Sequence, residues 1–368
     1  MVIKNLSLQN FRNYRQRQFE FTSGITVVVG SNASGKTNLL EAIYLLATGK
    51  SFRAGVEKEM ISYEKEIARV KGEIKDSQEV DNLEIVLTTG QVRSEKVAKK
   101  KYLVNGVGRR MMDFVGHLRA VYFGPEDLEI VVDSPSIRRD YLDSVLEQVD
   151  RDYRRASLSY KKGLRQRNKI LERMKEGGIE NFEKTKRQLY FWNNLLIKNG
   201  GIIAQKREEL IDFINSQPDY FYDLVVSYQK SVISPARLEK YGEREVAAGM
   251  TLIGPHRDDI KFKMPLKEGF FGMENLKSKI ERDLSIYGSR GEQRLAVFCL
   301  KLAELEFVAE KSEKRPVLLL DDIFSELDHQ HRERLLEIIP KQQTIITTTD
   351  LHQIELEYRK KIAIIELK

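Results

Sequence analysis

The sequence predicts an α/β fold built from two separated halves of the chain, with a block of long helices inserted between them. One observation is the run of short, strand-length apolar segments at both ends, including GITVVVG (24–30), VLLLDD (317–322) and IAIIEL (362–367). Another is a glycine-rich loop, GSNASGKT (30–37), that follows an apolar strand and opens a helix. The third is a change of period. From about Pro135 the apolar residues recur at helical rather than strand spacing. The expected division is 1–134 and 223–368 for the two halves of one domain, and 135–222 for the helical insertion.

Taken in order, IKNLSLQNF, QFEFT and GITVVVG read as strands, followed by a helix ending near Gly49. EIARVKGEI and NLEIVLTT are the next strands, and Asn105-Gly106 in KKKYLVNGVGRR signals a tight hairpin. Leu142, Val145, Leu146, Val149 and Tyr153 then mark one helical face. Beyond the Gly177-Gly178 break, Leu189, Trp192, Leu196, Ile203, Leu210 and Phe213 mark another. Two helices of about 35–40 residues would make a hairpin of roughly 50–60 Å at 1.5 Å per residue. Asn199-Gly200-Gly201 is a candidate kink in the second. After Pro218 strands return in DLVVSYQ and TLIGPHRDDIKFKM. The turn YGSRGEQR (287–294), a long apolar helix, VLLLDD, TIITTTD and IAIIEL complete the chain.

The 368 residues are 41% hydrophobic and 32% charged, enough for a packed core. No stretch approaches 18 consecutive apolar residues, and MVIKNLSLQNF lacks a signal-peptide layout, so a cytoplasmic location is expected. Cys299 is the single cysteine, which excludes an internal disulfide and points to a buried structural thiol. The net charge of +7 is unevenly placed. Residues 150–207 hold 16 Lys/Arg against 6 Asp/Glu, so this segment carries the whole excess. Such clustering is the footprint of a polyanion-binding surface, although long exposed helices are also often basic.

The residues Gly30, Ser31, Asn32, Ala33, Ser34, Gly35, Lys36 and Thr37 match the P-loop pattern. Its glycines let backbone N–H groups converge on phosphates at a helix N-terminus. Lys36 would bridge the β- and γ-phosphates of ATP, and Thr37 would ligate Mg²⁺. A second carboxylate-bearing strand is then required, and VLLLDD supplies it 285 positions after Lys36. Asp321 is the expected Mg²⁺ ligand, and Asp322 the group that orients or deprotonates the attacking water.

YGSRGEQ resembles the signature motif of ABC-type ATPases, and SELD (325–328) their D-loop. In that superfamily the signature caps the γ-phosphate held by a second subunit. The resemblance therefore implies that Ser289 and Gly291 complete an ATP site in trans, Ser289 as a hydroxyl donor and Gly291 by permitting close approach. LQNFRNY, GPHRDD (254–259), YGSRGEQ and LLLDDIFSELD together resemble the RecF family of SMC-like ATPases over about residues 3–350. The implied architecture is an ABC-type P-loop head, split in sequence, with a helical insertion that lacks a long coiled coil. The implied activity is a weak, DNA-stimulated ATPase that acts as a clamp. It would dimerise on ATP, bind double-stranded DNA, single-stranded DNA and ss/ds junctions, and help RecO and RecR load RecA. Lys96, Lys99, Lys100, Lys101, Arg109 and Arg110, with the basic helices, are the expected phosphate contacts. Arg12 in the FRNY turn reads equally as a phosphate-reaching arginine or as a solvated turn residue.

Several parts depart from the superfamily pattern. The Q-loop glutamine has no clear match, FGPEDL (123–128) standing in its region, and TTTD (347–350) replaces the switch histidine. Asp322 occupies a position that is usually glutamate, one methylene longer, which predicts slow hydrolysis. A transporter-docking ATPase would not carry the basic insertion, FRNY or GPHRDD. A nuclease fusion would need an acidic domain after Asp328, and a purely structural DNA binder would not need intact Lys36, Thr37, Asp321 and Asp322.

Overall fold

The computed structural model describes residues 1–76, 79–177, 182–217, 224–265, 281–325, 329–350 and 362–367. Contacts divide the chain into two compact units, Met1–Asp127 with Glu304–Lys368, and Leu128–Ala303.

In the first unit the strands expected at the N-terminus form as β1 (Val2–Phe11), β2 (Tyr14–Glu20) and β3 (Ile25–Gly30), followed by α1 (Lys36–Thr48). Next come β4 (Ile67–Asp76) and β5 (Glu79–Thr88), then the two-residue strands β6 (Gln91–Val92) and β7 (Glu95–Lys96). The Asn105-Gly106 hairpin joins β8 (Lys100–Val104) to β9 (Val107–Arg109). Both turn residues lie at positive φ, 51° and 79°, as a two-residue turn with a right-handed twist requires. The short helix α2 (Met111–Phe114) leads to β10 (Ala120–Phe123).

The second unit begins with α3 (Glu129–Val132), α4 (Pro135–Val149), α5 (Arg151–Lys175) and α6 (Phe182–Asn215). The first long helix expected from the sequence is thus two. Asp150 adopts an extended conformation, and its side chain accepts from Tyr153 N at 2.8 Å, so it ends α4 and caps α5. Asn199-Gly200-Gly201 lies within the continuous span of α6. A Cβ on Gly200 would meet Ile233 at 2.8 Å, so its glycine serves close packing. Then follow β11 (Val225–Gln229), α7 (Pro235–Ala248), β12 (Asp259–Pro265), β13 (Glu281–Asp283), α8 (Leu284–Tyr287) and α9 (Arg290–Ser312), the division between units falling inside α9. β14 (Val317–Asp321), α10 (His329–Ile338), β15 (Thr344–Thr348) and β16 (Ile362–Leu367) complete the first unit.

The first unit holds two sheets. One is antiparallel in the order β2-β1-β4-β5-β8-β9, and the other is parallel in the order β10-β14-β15-β3-β16. Helix α1 touches both and is apolar almost all round, with Leu39, Leu40, Ile43, Leu45 and Leu46 fully buried. Gly72 of β4 permits this, since a Cβ there would meet Leu46 at 2.7 Å.

The second unit is larger than the 135–222 segment that composition singles out, because the GPHRDD region is bound to the helices through buried charges. Arg207 of α6 donates to Asp143 Oδ1 at 2.8 Å, Asp258 Oδ2 at 3.0 Å and Pro255 O at 2.8 Å. Arg138 pairs with Asp259 at 2.6 Å, and Arg167 with the fully buried Glu245 at 2.6 Å. His256 sits between Tyr160 OH and Thr251 O, and burial lowers its pKa to about 4. Part of the basic excess of residues 150–207 is therefore structural. Arg154, Arg167 and Arg207 are buried, and Lys161 is paired with Asp143 at 2.7 Å. Cys299 is buried, as expected.

Candidate nucleotide site

The parallel sheet brings the two halves of the site together. β15 lies between β3 and β14, so Asp321 at the end of β14 is two strands from the loop that leaves β3 at Gly30. At the usual strand separation this is roughly 10 Å, on the carboxyl side of a parallel sheet where α/β folds place ligands.

The loop at 30–37 is held in a cradle shape without any side-chain cap on α1. Gly35 is the N-cap at φ 108°, and Ala33 lies at φ 66°. Lys36 is buried, with its ammonium folded into the loop and donating to Gly30 O at 2.8 Å and Ser31 O at 3.0 Å. Ser34 Oγ is buried with no hydrogen-bond partner, a polar atom left for a ligand. The FRNY turn braces the loop from outside. Tyr14 OH donates to Gly35 O at 3.0 Å, and Asn13 Nδ2 to Ser34 O at 3.3 Å. Burial pushes the Tyr14 hydroxyl up to about 12, against the opposing charge of Arg17, so it stays a donor.

At the other side, Asp321 is buried and both its oxygens are engaged. Thr347 Oγ1 donates to Oδ1 at 2.5 Å, and Tyr122 OH to Oδ2 at 3.2 Å. The single proton of that hydroxyl is shared with Glu126 Oε2, which is the nearer acceptor at 2.8 Å. Burial, then the charges of Asp321, Glu126 and Asp127, drive the Tyr122 pKa far upward and keep it protonated. Asp322 has φ 52°, in the left-handed region, and its N–H donates to Thr347 at O and Oγ1. A non-glycine residue held there stores backbone strain of the kind that clusters at functional sites.

Arg12 does not sit as a solvated turn residue. At φ 52° it reaches the fully buried Glu41 of α1, donating from Nε at 2.8 Å and Nη2 at 2.5 Å, while Nη1 bonds Glu59 O at 2.6 Å. Ser51 Oγ donates to Glu41 at 2.6 Å, and Arg53 Nη2 at 3.1 Å. Burial alone would raise the Glu41 pKa, but the hydrogen bonds from Arg12 and Ser51 and the two guanidinium charges bring it below the ordinary value. The carboxylate is thus a buried anion holding two arginines, and Arg53 also reaches Asn38 in the first turn of α1.

The signature turn belongs to the second unit. Ser289 precedes α9 and forms a reciprocal capping box with Glu292. Its N–H and Oγ donate to Glu292 Oε2 at 2.9 and 3.0 Å, and Glu292 N–H donates back to Ser289 Oγ at 3.3 Å. Arg282 also holds Glu292. Ser289 and Gly291 are exposed, and a Cβ on Gly291 would meet open space. Ile286 and Tyr287, immediately before, are each 67% exposed.

The model of the RecF/RecN/SMC N-terminal domain matches residues 2–365. A relative from Herpetosiphon aurantiacus, named DNA replication and repair protein RecF, is 35% identical and covers 98% of this chain and 97% of its own. A Bacillus cereus protein of the same name is 34% identical, covering 98% and 95%. The chain belongs to the RecF family. A solved structure described as the recombination mediator protein RecF with ATP in the RecFOR pathway superposes with a TM-score of 0.82 at 30% identity. The match covers 96% of this chain and 93% of that one.

Within this chain, sequence reasoning missed Glu41, Arg53, Tyr122 and Glu126. Tyr122 and Glu126 flank and belong to the FGPEDL segment where the Q-loop glutamine had no match. Their signal was a tyrosine and a glutamate two residues on either side of Gly124. A Cβ on that glycine would meet Tyr122 OH at 2.1 Å. Thr347, in the TTTD stretch, stands beside both aspartates. The D-loop residues Glu326, Leu327 and Asp328 lie outside the described residues. Among the cations expected around the hairpin, Lys100 is a correction. It is half-buried, pairs with Glu57 at 3.2 Å and donates to Gly49 O, so its charge is used within the fold.

Proposed function

We propose that this chain is an ATP-dependent DNA clamp of recombinational repair and replication restart, closing as a homodimer around two ATP molecules. The observation that carries the reading is the pairing of two unlike helix starts. One is a phosphate cradle without a side-chain cap, with Lys36 folded inside; the other is an exposed Ser289–Gly291 turn open to a ligand.

Lys36 would turn from the loop carbonyls to the β- and γ-phosphates, and the Ser31–Thr37 backbone would donate to them. The donor set fits Mg²⁺. Among the described residues no group of three or more His, Cys, Asp or Glu is assembled, and this ion is commonly held by one or two protein oxygens plus phosphates. Thr37 and Asp321 are those oxygens, with Tyr122 and Thr347 orienting the Asp321 carboxylate. Bound there, Mg²⁺ supplies neutralisation of developing phosphate charge. Asp322 positions and deprotonates the attacking water, its backbone pinned to Thr347. Ser289 of a second copy would exchange its bond to Glu292 for one to the γ-phosphate. With a short aspartate as base, hydrolysis is slow, stimulated by DNA, and serves to reopen the dimer. The family resemblance adds RecO and RecR as partners in loading RecA, and double-stranded DNA with ss/ds junctions as ligand. Among the described residues no helix is long and apolar enough to cross a membrane, and a cytoplasmic site of action is part of the proposal.

The test is sedimentation of Asp322→Asn with and without ATP, in the presence of gapped, duplex or single-stranded DNA. An ATP-dependent dimer that retains duplex-containing DNA is expected. A chain that stays monomeric at saturating ATP overturns the clamp.

A further inference from the structure

The segment from β13 to the first turn of α9 is held in one shape while it presents apolar side chains to water. Asp283 accepts from Ser285 N at 3.0 Å and Ser285 Oγ at 2.6 Å, which caps α8, and it pairs with Lys261 of β12 at 3.0 Å. Leu284 is fully buried, and Gln293 Nε2 of α9 donates to its carbonyl at 2.9 Å. Arg282 spans the turn, donating from Nη1 to Tyr287 O at 3.0 Å and holding the Glu292 carboxylate through Nη2. Gly288 is packed tightly, since a Cβ there would meet Leu284 O at 2.5 Å. Within this frame Ile286 and Tyr287 are adjacent, each two-thirds exposed, and stand directly ahead of the exposed Ser289, Arg290 and Gly291. Exposed apolar residues usually occur singly, whereas a contiguous group marks an interaction surface. A loose turn could fold such side chains away; this one is fixed with them outward.

The phosphate loop is bordered by a segment of matching character. Tyr63 is 91% exposed. It follows Ser62, whose N–H donates to Asn10 O at 2.8 Å and whose Oγ donates to Arg12 O at 2.7 Å. Asn13, next to Arg12, donates to Ser34 O of the loop itself. The single-turn helix Glu57–Met60 precedes Ser62, and Arg12 donates to its Met60 O and Glu59 O. Val56, at the start of this segment, is also exposed. Residues 56–66 hold four glutamates against two lysines, and residues 286–294 hold two arginines against one glutamate. The two segments therefore carry opposite net charge, and each displays large apolar side chains.

Resting on the clamp reading above, we infer that Ile286 and Tyr287 are the apolar anchor of closure. They seat on a second copy of this chain, against the border around its Tyr63, while Ser289 reaches the γ-phosphate held by that copy. The chain limits the alternatives. Tyr287 is two residues from Ser289 and Ile286 three, so their Cα atoms lie within about 7 and 11 Å of it. With Ser289 on the phosphate, neither side chain can remain in open water. The acidic border receives the basic turn, which orients the approach, and the buried aliphatic and aromatic groups supply the apolar contact that a hydroxyl on a phosphate does not. Two-fold pairing repeats the contact, each copy giving one anchor and receiving one. Two side chains cover far less than the roughly 800 Å² per partner of a stable interface, so the anchor alone does not close the dimer and closure waits for ATP.

The experiment is sedimentation of the full chain over a concentration series at saturating ATP, with Asp322→Asn as the parent so that the nucleotide persists. Ile286→Ser with Tyr287→Ser is expected to raise the dimer dissociation constant on the order of 30-fold. Both side chains are on the surface, and ATP affinity measured on the dilute monomer should stay within about 2-fold, which verifies folding. Arg282→Gln keeps the anchor but frees the Tyr287 carbonyl, and should weaken the dimer by about 5-fold through lost pre-organisation. Tyr63→Ser should weaken it by about 10-fold, and combined with Tyr287→Ser by clearly less than the product of the two single losses, because either change alone empties the contact. A dimer of unchanged strength in the Ile286 and Tyr287 variant, while the parent dimerises, overturns the anchor. Losses at Tyr63 and Tyr287 that multiply independently overturn the border as its seat. A parent that stays monomeric at saturating ATP overturns the clamp itself, whatever these side chains do.

Discussion

The helices α1 and α9 both begin at motifs expected to meet the same phosphates, yet their first turns are built in opposite ways. α1 starts at Gly35 with no side-chain cap, and its free N–H groups face a loop whose lysine is already inside. α9 starts at Ser289, which Glu292 caps in both directions while Arg282 holds Glu292 in turn. A helix start that leaves its N–H groups open is costly without an anion, so the first is shaped for a permanent resident of its own chain. The second is satisfied alone and gives up little when it stands exposed. On the proposed reading, the difference teaches which half of the site would wait for a partner.

The largest effect expected from breaking this comparison is at Lys36. Lys36→Met removes a charged donor to phosphate, and ATP affinity should fall by about 100-fold or more, with loss of the dimer. Equilibrium nucleotide binding and sedimentation check this, and a dimer of unchanged strength would count against the cradle as its trigger. Ser289→Arg should leave ATP binding by the monomer within about 2-fold while abolishing the dimer, because the open turn becomes a bulky charge. If dimerisation survives, the turn is only a helix cap.

A third change concerns the anion beneath α1. Glu41→Gln leaves Arg12 and Arg53 without their buried counter-charge and should cost about 2–3 kcal/mol in denaturant unfolding. The folded-state pKa of Glu41 is depressed, so its stabilisation is present above the unfolded value of about 4.5. It is lost as the pH falls through the folded value. The substitution should flatten that acid limb, and an identical pH profile in parent and variant would remove Glu41 from the account. The smallest effect is at Glu292. Glu292→Ala removes the cap and should lower stability by about 1 kcal/mol, while the freed Ser289 keeps or modestly improves dimer affinity. A weaker dimer would mean that Glu292 itself contacts the second subunit.

Much of the site is local in origin and was readable for that reason. A P-loop is a contiguous run whose backbone geometry follows from its own glycines, and VLLLDD announces a buried strand ending in carboxylates. The break at Asp150 was harder to see, because the apolar spacing continues from Val149 to Tyr153 across a side-chain cap. The charge count on residues 150–207 also overstated the surface, since Arg154, Arg167 and Arg207 meet acceptors from other segments that a count along the chain does not pair with them.

From the residue order alone came the α/β class, the split head, the phosphate loop with its distant carboxylates, and the signature turn, because each rests on a short pattern with its own backbone preference. Folding in three dimensions was needed for the rest. It set Tyr122, Glu126 and Thr347 around Asp321 and Asp322, turned Arg12 onto Glu41, and sorted the cations of α5 into a buried face and an exposed one. Those arrangements depend on which strands pair and which helices pack across hundreds of residues. No local spacing encodes that, since a side chain's role follows from the neighbours that folding brings to it.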